Sequence, residues 1–205
     1  MSGPVTGVAL TVAAFFAGAI PWGYLIGRFG RGIDLRTVGS GGTGATNVLR
    51  TMGRGASIAV LILDFLKGLI PVVVAQRLEL DPWWVAAVAV APVVGHCWSP
   101  FIGFKGGKGM ATGAGSVLAL FPYAMVALAA FVLAVWTTRY VSLGSLLATA
   151  IAALLAVIFA GSGRLEWASA AAVLAIAAII FERHRANIAR LRQGTERRFG
   201  ESIAV

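Results

Sequence analysis

The chain has 205 residues, of which 59% are hydrophobic and 12% are charged. Soluble domains average about 45–50% apolar and about 25% charged residues, so this composition excludes an ordinary water-soluble fold. The first charged residue is Arg28, and the uncharged stretch before it is long enough to cross a hydrocarbon layer of about 30 Å. The composition therefore predicts an all-α integral membrane protein, which we expect to form a single transmembrane domain over residues 1–205.

Seven apolar spans are predicted in chain order, near residues 5–27, 56–75, 82–97, 109–121, 122–137, 141–160 and 165–181. The stretch 109–137 is ambiguous, because it reads either as one span or as two short spans that meet at Pro122. The distribution of basic residues between the two sides of the membrane favours two spans. A single span there would place the arginine-rich tail on the opposite side of the membrane from Lys105 and Lys108.

Basic residues are retained on the cytoplasmic side of a membrane, so their distribution predicts the orientation. With seven spans the N-terminus lies outside and the C-terminus lies in the cytoplasm. Fourteen of the 17 basic residues then fall inside, Arg77 and Arg164 fall outside, and Lys67 lies within a span. The loops 28–55 and 103–109 and the tail 182–205 all face the cytoplasm in this topology, so we expect the functional site there.

The first cytoplasmic loop contains a glycine-rich segment, residues 38–50, with the sequence VGSGGTGATNVLR. Glycines allow close backbone approach and positive φ, so successive N–H groups can surround an anion, and hydroxyl, amide and guanidinium groups add further donors. The expected ligand-binding residues are Gly39, Ser40, Gly41, Gly44, Thr46, Asn47 and Arg50. The alternative interpretation is a flexible linker between helices.

A second glycine-rich segment, residues 103–112, has the sequence GFKGGKGMAT and leads into the fourth span. A helix N-terminus offers unpaired N–H groups and partial positive charge to an anion, and the two lysines add further donors and positive charge. The expected ligand-binding residues are Lys105, Gly106, Gly107 and Lys108. The alternative is a positively charged anchor at the membrane surface.

Five further polar residues are candidates. Asp64 and Lys67 are three residues apart inside a span, where they either serve function or only orient helices as an ion pair. His184 and Asn187 share one helix face at the end of the last span, and Ser142 lies at another cytoplasmic helix end. With two histidines and one cysteine, the sequence predicts no metal site and no cofactor.

Taken in order, these motifs resemble one family over about residues 18–199. They are Gly39-Ser40-Gly41, Gly44-Ala45-Thr46-Asn47 with Arg50, Asp64-Phe65-Leu66-Lys67-Gly68, the segment 103–112, Arg139-Tyr140-Val141-Ser142-Leu143, and Arg183-His184-Arg185 with Asn187-Ile188. The chain is similar to the bacterial acyl-phosphate-dependent glycerol-3-phosphate acyltransferases, the PlsY family.

This resemblance implies an inner-membrane enzyme that transfers a fatty acyl group from acyl phosphate to the 1-hydroxyl of glycerol 3-phosphate. The products would be lysophosphatidic acid and inorganic phosphate, in the first step of phospholipid synthesis. It implies catalytic roles for Ser40, Arg50, His184 and Asn187, and substrate binding by the lysine segment, with Ser142 as a lesser candidate.

Acyl phosphate is already an activated mixed anhydride, so we expect no covalent enzyme intermediate. The hydroxyl proton passes either to His184 or to the donor's own phosphate, and the sequence does not choose between them. The competing hypothesis is a transporter of a phosphorylated anion, although such a site is expected near the midplane. Membrane lipid is an expected partner, and nucleic acid is not. The sequence does not indicate an oligomeric state.

Overall fold

The computed structural model describes residues 3–201 and is entirely helical over that range, apart from turns and loops. Its ten α-helices are α1 (Pro4–Ala19), α2 (Trp22–Arg31), α3 (Ala45–Met52), α4 (Arg54–Arg77), α5 (Pro82–Cys97), α6 (Met110–Leu120), α7 (Met125–Thr138), α8 (Val141–Gly161), α9 (Trp167–Arg183) and α10 (Arg185–Arg192). Short 3-10 turns at Pro100–Ile102 and Pro122–Ala124 follow α5 and α6.

Four helical segments of the described chain are long and apolar enough to cross a membrane: Pro4–Arg31, Arg54–Arg77, Pro82–Ile102 and Val141–Gly161. A fifth is obtained if α9 and α10, which meet at an angle of 58°, count as one broken span. The segments Met110–Leu120 and Pro122–Thr138 are apolar but shorter. Six of the seven predicted spans therefore each coincide with one helix, the first is divided between α1 and α2, and the number of crossings stays a prediction.

Proline explains two of the helix breaks. The first predicted span, 5–27, is not continuous, because α1 ends at Ala19 and α2 begins after Pro21, which has no N–H group for a helical hydrogen bond. The ambiguous stretch 109–137 divides at Pro122 into α6 and α7, as the two-span interpretation predicted. Two short helices in polar segments, α3 and α10, were not predicted.

Glycines allow the long helices to pack at backbone distance. A Cβ atom at Gly68 of α4 would meet the backbone of Thr112, and one at Gly115 of α6 would meet the backbone of Phe65. Gly18 and Gly95 bring α1 and α5 together in the same way. Small residues at such contacts are how helices associate in lipid.

The predicted ion pair within α4 is present, with 2.8 Å between Lys67 Nζ and Asp64 Oδ1. Lys67 Nζ also donates to the carbonyl oxygen of Ile20, where α1 is interrupted. His96 Nδ1 of α5 lies 3.6 Å from the same Asp64 oxygen. This buried cluster joins α1, α4 and α5 below the polar loops.

Candidate functional site

The first glycine-rich loop is organised around the side chain of Asn47, which is buried at the start of α3. Its Nδ2 atom donates to the carbonyl oxygens of Leu35, Val38 and Gly42, at 3.2, 3.1 and 2.9 Å. Its Oδ1 atom accepts from the backbone N–H of Ser40 at 2.9 Å. The structure thus uses the polar atoms of Asn47 to hold the loop.

Backbone conformation in this loop requires glycine at two positions. Gly39 and Gly41 have φ of +63° and +70°, in the left-handed region that L side chains rarely adopt. The two residues flank Ser40 and so determine where it stands. Gly39 and Gly41 act on the shape of the loop and do not themselves line the cavity described below.

The second glycine-rich loop, residues 103–109, carries Lys105 and Lys108 and is called the lysine loop below. It packs on the end of α5 through its glycines. The N–H groups of Gly106 and Gly107 donate to the carbonyl oxygens of Cys97 and His96, at 3.3 and 3.2 Å. A Cβ atom at Gly107 would collide with the imidazole of His96. Of the two lysines, Lys108 lines the cavity, whereas Lys105 is exposed outside it.

His184 occupies the break between α9 and α10 and is buried. Its Nδ1 atom lies 2.7 Å from the carbonyl oxygen of Ile180. In the neutral ring this contact assigns the hydrogen to Nδ1, so Nε2 is left as a hydrogen-bond acceptor. Asn187, three residues later, is also buried, and its Oδ1 atom has no hydrogen-bond partner among the described residues.

A carboxylate that the sequence analysis did not select, Glu196, joins this group. It accepts hydrogen bonds from Ser142 Oγ at 2.9 Å, Asn187 Nδ2 at 2.6 Å and Arg190 Nε at 2.7 Å. The available signal was that Glu196 is the only acidic residue between Arg183 and Arg198 in the tail.

All these elements meet at a cavity of about 600 Å³. Ten of the predicted site residues line it: Ser40, Gly44, Thr46, Asn47, Arg50, Gly107, Lys108, Ser142, His184 and Asn187. Four do not: Gly39, Gly41, Lys105 and Gly106. Below the polar end, the walls are mainly apolar side chains of α4 and of α6 to α9, including Leu128, Phe131, Ala152 and Ile176. Asp64 and His96 of the buried cluster also line the cavity.

The polar end of the cavity is electropositive. The pKa of Lys108 is lowered to about 8, chiefly by burial. Attraction to Glu196 raises this pKa, and repulsion from Arg190 and Arg50 lowers it further. Burial, followed by repulsion from Arg197, lowers the pKa of Arg50. Both shifts reflect partly buried cations held close to other cations, an arrangement that an anion would relieve.

Glu196 is the compensating negative charge. Burial by itself would raise the pKa of this carboxyl, but the hydrogen bonds from Asn187, Arg190 and Ser142 outweigh burial and hold the pKa below its ordinary value. Among residues 3–201, no group of three His, Cys, Asp or Glu side chains lies close enough to hold a metal ion. The arrangement suits two anions placed beside an apolar chain.

The sequence is similar to those of known glycerol-3-phosphate acyltransferases. Residues 8–194 match the model of the family described as glycerol-3-phosphate acyltransferase. The chain is 48% identical over 191 residues to the glycerol-3-phosphate acyltransferase of Geobacter sulfurreducens, covering 93% of this chain and 96% of that one. It is 42% identical over 203 residues to glycerol-3-phosphate acyltransferase 1 of Deinococcus radiodurans, covering 98% of this chain and 99% of that one.

Two solved structures share the fold. One is the crystal structure of PlsY, an integral membrane glycerol 3-phosphate acyltransferase, in its glycerol 3-phosphate form. It is 39% identical, with a TM-score of 0.88 over 95% of this chain and 96% of that one. The other is the lysophosphatidic acid form, 38% identical, with a TM-score of 0.85 over the same shares of the two chains.

Proposed function

This chain belongs to the glycerol-3-phosphate acyltransferase family, the PlsY family of integral membrane enzymes, and we propose that its acyl donor is acyl phosphate. The acceptor is the 1-hydroxyl of glycerol 3-phosphate, and the products are lysophosphatidic acid and inorganic phosphate. We place the seven predicted spans in the bacterial inner membrane with the N-terminus outside, so that the site faces the cytoplasm.

The observation that carries this proposal is the convergence of Arg50 and Lys108 at the polar end of an apolar cavity. Arg50 lies on α3 and Lys108 in the loop before α6, more than fifty residues further along the sequence, and both line the same cavity. Glycerol 3-phosphate supplies one phosphate, and acyl phosphate supplies a second one attached to a fatty chain. A cavity with a cationic end and apolar walls suits that pair of substrates.

We assign the donor's phosphate to the first loop, where Ser40 and Arg50 offer a hydroxyl and a guanidinium. Lys108 then holds the phosphate of glycerol 3-phosphate, and Ser142 lines the same cavity. Lys105 is exposed outside the cavity, so its contribution is limited to attracting anions to this face.

His184 and Asn187 suit the glycerol end of the acceptor. Each offers one acceptor atom in the neutral state described above, Nε2 and Oδ1, and both residues line the cavity. A hydroxyl group donates hydrogen bonds to such atoms. These two residues would therefore orient the attacking hydroxyl.

In the proposed reaction the hydroxyl oxygen attacks the carbonyl carbon of acyl phosphate. The carbon–oxygen bond to phosphate breaks, and the phosphate leaves with the electron pair of that bond. The hydroxyl proton passes to His184 Nε2 or to the departing phosphate. Because the donor is already activated, orientation of the two anions and stabilisation of the leaving charge suffice, and no acyl-enzyme forms.

The test uses the purified full-length protein in lipid with radiolabelled glycerol 3-phosphate and palmitoyl phosphate, and it measures organic-soluble lysophosphatidic acid. Acyl-CoA is offered in parallel as donor. We expect product from acyl phosphate alone, with activity lost in Arg50→Ala and retained in Arg54→Ala, an exposed arginine four residues away.

Product from acyl-CoA would correct the donor. Activity that survives Arg50→Ala would remove the first loop from the site. If the folded protein forms no product with either donor, the proposed reaction is wrong, and uptake of glycerol 3-phosphate into vesicles would test the transporter hypothesis.

A further inference from the structure

The tail after α10 returns to the site and contributes one buried carboxylate. The Glu196 side chain is only 6% exposed, although the tail residues on both sides of it are exposed. The backbone N–H of Phe199 donates to the carbonyl oxygen of Arg139 at 2.6 Å, which holds the tail against the start of α8. Glu196 therefore lies at the wall of the cavity as part of the folded structure.

The hydrogen bonds of Glu196 are divided between its two oxygens. Oε2 accepts from Arg190, whereas Oε1 accepts from both Ser142 and Asn187. An exposed ion pair with Arg190 would contribute little and would not require this burial. The contacts of Oε1 point instead to a role for Glu196 toward Ser142 and Asn187.

The consequence for Asn187 is a defined amide orientation. An ionised carboxylate only accepts hydrogen bonds, so the NH2 group of Asn187 must face Glu196 and its carbonyl oxygen must face away. With the amide reversed, two oxygens would meet at hydrogen-bonding distance. The Oδ1 atom that results is buried and has no partner among the described residues, in a side chain that lines the cavity.

We propose that Glu196 is a positioning residue that orients the Asn187 amide so that Oδ1 accepts a hydrogen bond from a hydroxyl group of the acceptor substrate. This inference rests on the proposed function, because it takes glycerol 3-phosphate as the acceptor. Glu196 itself does not contact the reacting atoms.

The experiment exchanges donor and acceptor across the Asn187–Glu196 hydrogen bond. In Asn187→Asp, two carboxylates face each other, and we expect kcat/KM for glycerol 3-phosphate to fall about 100-fold. In the double variant Asn187→Asp with Glu196→Gln, the glutamine NH2 donates to one oxygen of the introduced carboxylate and the other oxygen stays available to the substrate. We expect it to recover at least about tenfold over Asn187→Asp, since the pair keeps its size and net charge.

The single variant Glu196→Ala frees the amide to reverse, and we expect its kcat/KM for glycerol 3-phosphate to fall about tenfold with little change in KM for acyl phosphate. Glu201→Gln is the matched control, because Glu201 is an exposed tail carboxylate that accepts from the backbone N–H of Arg198. It should behave like the wild type.

Thermal unfolding of each variant separates positioning from folding, because a merely structural role would lower Tm, whereas a positioning role lowers kcat/KM in protein that keeps the wild-type Tm. If Glu196→Ala does not fold, the comparison of Asn187→Asp with the double variant tests the proposal. The proposal is overturned if folded Glu196→Ala keeps wild-type kcat/KM, or if the folded double variant is no better than Asn187→Asp. If wild-type protein itself forms no lysophosphatidic acid, the proposed function fails first and this inference with it.

Discussion

The guanidinium of Arg183 donates from Nε to the carbonyl oxygen of Gly107 at 3.1 Å, which ties the end of α9 to the loop that carries Lys108. Its second nitrogen, Nη2, donates to the carbonyl oxygen of Gly106 at 3.3 Å, and the group stacks over the ring of Trp98. The lysine loop is thus held from two sides, by α5 beneath it and by Arg183 beside it. This relationship leads to the first prediction.

Arg183→Lys is expected to raise KM for glycerol 3-phosphate about five- to tenfold with a smaller effect on kcat. Lysine keeps the charge but loses the planar fork that bonds two carbonyl oxygens, so Lys108 is held less firmly. Steady-state kinetics with saturating acyl phosphate measure the change.

The matched control is Arg185→Lys, two residues further on. Arg185 is 77% exposed and pairs with Glu182 on the surface, so its substitution should leave KM within about twofold of the wild type. Equal effects at positions 183 and 185 would contradict a specific role for the contact with Gly107.

The affinity for glycerol 3-phosphate is expected to fall as the pH rises through 8. Lys108 has its pKa lowered to about 8, mainly by burial, so the free enzyme holds it charged below that pH and neutral above it. KM should therefore rise about tenfold between pH 7 and pH 9. The substrate's phosphate, with a second pKa of about 6, is already a dianion throughout this range.

Lys108→Arg provides the comparison, because a guanidinium stays charged over the whole range. Its KM should be independent of pH between 7 and 9, whatever its absolute value. A wild-type KM that does not change over this range would remove Lys108 as the phosphate ligand.

His184→Gln is expected to lower kcat about 100-fold or more with little change in KM, because a base that accepts the hydroxyl proton acts only in the transition state. Single-turnover measurements with saturating substrates isolate this step. A near-normal kcat would contradict a base at His184 and leave the phosphate of the donor as the proton acceptor.

Acyl chain length should depend on Ala152 in α8. The residues of α8 that line the cavity run from Val141 to Ala152, and Ala156, one turn further, is fully buried in the core. From Ser142 to Ala152 the helix rises about 15 Å. A larger side chain at Ala152 would therefore shorten the apolar part of the cavity.

Ala152→Phe is expected to reduce kcat/KM for palmitoyl phosphate more than tenfold relative to decanoyl phosphate. Excluding about two methylene groups from the cavity costs ~1.6 kcal/mol of hydrophobic transfer. Ala150→Phe serves as the control, because Ala150 is exposed on the outer face of the same helix. If both variants keep the wild-type preference, the chain does not extend to Ala152.

Some properties of this protein are set by residues that are neighbours in the sequence. Apolar runs, divided at Pro122, indicate helices because hydropathy depends on neighbouring residues alone. The break before α2 at Pro21 was not predicted. The glycine and lysine segments likewise indicate anion binding, since the necessary N–H groups and charges are adjacent in the chain. The helices were predictable without tertiary information, as was the helical spacing that pairs Asp64 with Lys67, whereas anion binding stays a prediction.

Other properties depend on contacts between distant residues. Lys105 and Lys108 have similar sequence surroundings, yet only Lys108 lines the cavity, because Gly106 and Gly107 bond to α5 and direct the two side chains differently. Glu196 joins the site only because the tail folds back onto α8.

The role of Asn47 also depends on contacts with distant residues. It looks like a ligand in sequence, but the carbonyl groups of Leu35 and Val38 engage its amide. The residue types and their local spacing determined the helices and predict the anion-binding chemistry. Tertiary packing decided which of those groups face one another, because that depends on backbone contacts between segments far apart in the chain.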